Sequence, residues 1–153
     1  MRFGFSMVLS VAITSAASAS TVKSSRYTYI VESPSSVKPV CEIIKGSELT
    51  ITGNAVDAMW LPVRANSGPC AGKSGFVSAE LVALSNTTGL RLSRSAPLVA
   101  STKDLKFGCY ALENSPVEKI GEDKSAITSV KVRVLDGPCK GEQGWVSPES
   151  LQQ

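Results

Sequence analysis

Four cysteines, thirteen carboxylates and no histidine set the chemistry open to this chain of 153 residues. Without imidazole there is no Ser-His-Asp triad, no Cys-His dyad and no histidine-ligated metal. A cysteine nucleophile would need another base and a lowered pKa. Cys41, Cys70, Cys109 and Cys139 stand about thirty residues apart, far from the C-x-x-C spacing of a zinc site. Their even number reads as two disulfides, with three pairings open to four cysteines. Paired carboxylates could still cleave a glycoside. No metal or cofactor is expected, and a non-catalytic protein is.

The cysteines belong to an internal repeat. Residues 63–82 align with residues 132–151, and ten of those twenty positions are identical. Upstream, Val31, Ser33 and Lys38 recur as Val99, Ser101 and Lys106, and Cys41 recurs as Cys109. The chain is a tandem duplication. Equivalent cysteines should make equivalent bonds, so the repeat predicts Cys41–Cys70 and Cys109–Cys139. The acid that both copies of the aligned segment share is Glu80 in the first and Glu149 in the second. Each follows a serine, Ser78 or Ser147, where a capped helical turn is a better reading than an acid catalyst.

Ahead of the repeats, Arg2, the apolar run Phe3–Ile13 and the small residues Ala17 and Ala19 form the pattern of a cleaved signal peptide over residues 1–19. The apolar run is shorter than the ~20 residues of a membrane span. A periplasmic or secreted location follows, and it agrees with disulfides. Residues 20–26, rich in Ser and Thr, read as a flexible leader. The repeats are placed at 27–83 and 90–151, joined by a polar linker over 84–89. Six basic and five acidic side chains in residues 20–85, against nine and eight in residues 86–153, leave no basic patch for nucleic acid.

Within each repeat the signals are short and β-like. Residues 49–52 end at the Gly53-Asn54 turn pair, and residues 126–134 alternate in their second half before Gly137-Pro138. Gly68-Pro69 and Gly137-Pro138 read as turns that deliver Cys70 and Cys139. No stretch sustains helical spacing. Strands of about five residues between Gly/Pro turns point to an all-β fold of small barrels or sandwiches.

The end of each repeat is similar to the bacterial SH3-like (SH3b) family. The residues that carry the likeness are Gly141, Gly144, Trp145, Val146 and Leu151 in the second copy, and Gly72, Gly75, Phe76, Val77 and Leu81 in the first. The resemblance covers the last third of each repeat. It implies two tandem small SH3-like β-barrels, to each of which the repeat adds one disulfide at a place unusual for the family, acting as an exported adaptor for a cell-wall (peptidoglycan) peptide or an envelope protein. An inhibitor or immunity-type protein that blocks an envelope enzyme is the alternative. Phe76 and Trp145 are expected to fill the barrel cores.

Strand alternation places Leu61 and Val63, and Val130 and Val132, toward the core. Trp60 and Arg64 then face outward, with Ser129, Lys131 and Arg133 as counterparts. An outward Trp beside an Arg can stack on and ion-pair with a ligand. Trp60, Arg64, Lys131 and Arg133 are therefore the candidate binding residues, with the first repeat dominant.

Overall fold

The computed structural model describes residues 20–153 except 58, 86, 104, 105, 126 and 127. The signal-peptide reading of residues 1–19 lies outside the described residues. The first repeat contains β1 (Thr21–Ser24), β2 (Thr28–Val31), β3 (Pro39–Ile43), β4 (Glu48–Ile51), β5 (Trp60–Ala65), β6 (Ser74–Ser78) and β7 (Val82–Leu84). The second contains β8 (Arg91–Leu92), β9 (Ala96–Val99), β10 (Phe107–Ala111), β11 (Val117–Asp123), β12 (Ser129–Val134), β13 (Gln143–Val146) and β14 (Leu151–Gln152). A short 3₁₀ turn precedes the last strand of each, at Ala79–Leu81 and Pro148–Ser150. The protein is all-β.

The duplication holds residue by residue. Val31 faces Phe76 as Val99 faces Trp145, and Ser24 faces Val82 as Leu92 faces Leu151. The loops repeat too. The Ala65 amide donates to the Lys73 carbonyl as that of Val134 donates to Glu142, both at 2.9 Å. The two glycines of each Gly-x-x-Gly have separate jobs. Gly72 and Gly141 sit at φ of 84° and 86°, a turn conformation that L side chains resist. A Cβ on Gly75 would lie 2.4 Å from Ile30, and one on Gly144 would lie 2.6 Å from Leu98. That second glycine lets β6 and β13 press against the neighbouring strand.

Cys41 is bonded to Cys70 and Cys109 to Cys139, with Cα atoms 5.8 Å apart in both. The parity of β5 and β12 is as expected, with Leu61, Val63, Val130 and Val132 all buried. Phe76 and Trp145 do not fill the cores. They are half-buried and stand opposite Pro62 and Lys131 on the outer faces. Val77 and Val146, one residue on, take the inner positions, since strand side chains alternate.

Residues 20–26 are not a flexible leader. Val22 is fully buried, and β1 pairs with both β4 and β7. Its alternation of exposed Thr21 and Lys23 with buried Val22 and Ser24 is a half-buried strand read too short to register as one. The linker expected from residue 84 likewise starts inside β7, because Leu84 is a buried strand residue.

The sheets are not closed barrels. The first runs β3-β2-β6-β5-β4-β1-β7 with open edges. Its β7 edge turns to the second repeat, where Ala83 bridges in parallel to Glu113, so it cannot meet β3. The second repeat splits into a five-stranded sheet, β10-β9-β13-β12-β11, and the pair β14-β8. Where β1 and β4 form a ladder, β8 meets the start of β11 by one bridge, Arg91 to Pro116. Proline has no N–H to extend it.

Each repeat has its own core, centred on Ile30, Leu49, Leu61 and Val63 in the first and on Leu92, Leu98, Val130 and Val132 in the second. Leu112 crosses over, lying fully buried in the first core. Around it the Leu84 amide donates to the Glu113 carbonyl at 2.9 Å, and the Ser95 hydroxyl to the Ala79 carbonyl at 3.1 Å. Among the described residues no helix is long and apolar enough to cross a membrane.

Candidate functional site

The outer face of β9, β12 and β13 carries a cleft of about 650 Å³. Its apolar wall comes from Pro97 and Val99 on β9 and Trp145 on β13, with Ser129 of β12 beside them. Strand alternation puts these side chains together: Pro97 and Val99 flank the buried Leu98, and Trp145 lies directly opposite Val99. The rim is raised by a loop that supplies Thr102 and Lys103 and by the end of β11 with the loop after it, which supply Asp123 and Ser125.

The rim is charged and organised. Asp123 accepts from the Ser125 amide at 2.9 Å and from the Thr102 hydroxyl at 3.3 Å, which ties the two loops together. These hydrogen bonds, the backbone one first, hold its carboxyl below the ordinary range, because they favour the charged form. Arg94 and Lys103 stand against this one acid among the lining residues. Next to the rim Glu122 is also held low, chiefly by a hydrogen bond from Lys119 at 3.0 Å.

The four candidate binding residues fall around two equivalent faces. Lys131 sits with its Nζ 5.9 Å from the Trp145 ring centroid, within cation–π reach. Arg133 is ion-paired with Glu118 at 3.0 Å, and the Gln143 amide oxygen, turned toward the guanidinium, accepts from it at 3.0 Å. That guanidinium is already engaged. In the first repeat Trp60 is half-buried and Arg64 is exposed between Thr50 and Ser74. Trp60 and Arg64 share one strand face, as expected.

Glu80 and Glu149 lie within the 3₁₀ turns, but neither Ser78 nor Ser147 makes a side-chain cap bond. Glu80 instead accepts from the Tyr110 hydroxyl of the second repeat at 3.2 Å. Burial, followed by the Glu80 charge, pushes the Tyr110 phenol up. Among the described residues no three acidic or cysteine side chains come together in a way that could hold a metal ion.

Reading the strands one at a time misses the cleft, because Pro97 and Ser129 look unremarkable alone. The signal lies in the pairing of β9 with β13 and of β13 with β12, which no single segment carries. No protein-family model matches the chain, and no curated protein matches it.

Proposed function

We propose that this is an exported, non-catalytic binding module that engages a cell-wall peptide or an envelope protein through the cleft of its second repeat. The cleft carries the reading: an apolar wall of Trp145, Val99 and Pro97 under a charged rim of Arg94, Lys103 and Asp123 has the make-up of a ligand site. Tandem SH3-like units fit this adaptor role, and the Gly-x-x-Gly-Trp/Phe-Val ends of both repeats support that assignment. The two disulfides are compatible with an oxidising compartment outside the cytoplasm. Catalysis plays no part in the proposal, since the chain has no histidine and all four cysteines are in bridges.

Co-sedimentation with purified peptidoglycan, together with capture of envelope proteins by the immobilised protein, tests the proposal. Trp145→Ala should lose the retained ligand while Arg64→Ala keeps it. Equal retention by both variants, or no retention by the wild type in either assay, would overturn it.

A further inference from the structure

The duplication supplies an internal reference for the cleft. Ser95, Pro97 and Ser129 line it, and their counterparts in the first repeat are Tyr27, Tyr29 and Trp60. At all three positions an aromatic side chain in one repeat is a small one in the other. The frame beneath is unchanged, because Val31 pairs with Phe76 as Val99 pairs with Trp145. What changes is the side chains around it and their burial. Val31 is 7% exposed, whereas Val99 is half-buried and lines the cleft.

We infer that the cleft takes an aromatic side chain presented by an acidic peptide segment, on a face where the first repeat carries aromatic residues of its own. This rests on the binding-module reading and adds the chemical class of its ligand. Three observations favour that occupant. The apolar wall is built from a proline ring, a valine and an indole, surfaces suited to offset or edge contacts with another ring. On the equivalent side of the first repeat Tyr27 and Tyr29 form a T-shaped pair, their ring centroids 5.7 Å apart, with both rings still exposed. At the rim, two cations stand against one carboxylate already bound by Thr102 and Ser125. Complementary charge selects an anionic partner, and Lys131 beside Trp145 adds a further positive charge to that side.

The test titrates the full chain with N-acetyltryptophan, which is anionic, and with tryptamine, which is cationic, followed by backbone amide NMR. N-acetyltryptophan should shift the signals of Val99 and Trp145 and bind about two- to fivefold more tightly than tryptamine, the range that exposed ion pairs supply. Ser129→Trp and, separately, Pro97→Tyr restore first-repeat residues and should each weaken it by about tenfold. Two substitutions guard against one that disturbs the fold, and dispersed amide spectra report folding for both. Binding unchanged in a folded variant, or tryptamine preferred, would overturn the inference. If neither probe binds while Trp145→Ala still abolishes retention of the wall or protein ligand, the ligand class is wrong and the binding module stands.

Discussion

Leu112 is fully buried in the core of the first repeat, while Ile44, its equivalent, is 50% exposed. The same loop is therefore a plug in one copy and open surface in the other. Both loops keep the same internal bond, from the Ser47 amide to the Ile44 carbonyl and from the Ser115 amide to the Leu112 carbonyl, each at 3.1 Å. Docking, not loop shape, separates them.

Leu112→Ala should thus cost about 2–5 kcal/mol, the range for emptying a buried leucine site. Ile44→Ala should stay within about 0.5 kcal/mol, as exposed substitutions do. Urea unfolding measures both. Equal effects would mean that the repeats do not share a core.

Deleting residues 20–25 removes β1 and both of its ladders. The shortened chain should unfold at clearly lower urea, and Val22→Ala alone should cost about 2 kcal/mol for the lost burial. An unchanged midpoint would return this segment to the role of a leader.

Each disulfide closes a loop of about thirty residues and should contribute roughly 3–4 kcal/mol through the unfolded state. Paired Cys→Ser variants, Cys41 with Cys70 and Cys109 with Cys139, should each lower the thermal midpoint. A digest without reduction should yield two cross-linked peptides, one per repeat. A peptide joining Cys41 to Cys109 would contradict the structure.

Stability should be nearly flat between about pH 6 and 8, where only histidine side chains normally titrate. The carboxyls of Glu122 and Asp123 are held below their ordinary values of 4.5 and 3.8. Groups lowered in the folded state stabilise it above the unfolded pKa, and that contribution is lost as pH falls through the folded one. Tyr110 has the opposite sign. Its raised phenol stabilises below the ordinary value of 10.0 and ceases to do so as pH rises through its folded value. Urea midpoints across the acid limb test the carboxylates, and Glu122→Gln should make that limb shallower.

The sequence made the disulfide pairing and the inward faces of β5 and β12 legible, because both depend on position within a repeat. Leu61 and Val63 alternate with their neighbours, and Cys41 and Cys70 recur at one offset. β1 was hidden because four residues carry too little alternation to outweigh a Ser/Thr-rich context. The outward ring of Trp145 is not legible in the same way, because an aromatic after Gly144 looks like core filling, while parity with the buried Val146 puts it outside. The cleft is built from β9, β12 and β13 together, and the pairing of β9 with β13 through Val99 and Trp145 leaves no local pattern in any one of the three segments.

The two copies differ by one residue, and it lies beyond the plug, inside β11. Leu49 and Val117, 68 apart, face Ala65 and Val134, which are 69 apart. The register of β11 shifts between Lys119 and Gly121, so Ile120 is the added residue. Left in register, one extra residue would exchange every inward and outward side chain beyond it. A bulge sets two residues against one and returns the rest of the strand to its inherited faces. The plug loop itself kept its length, so Leu112 gained its new partner without any change in spacing.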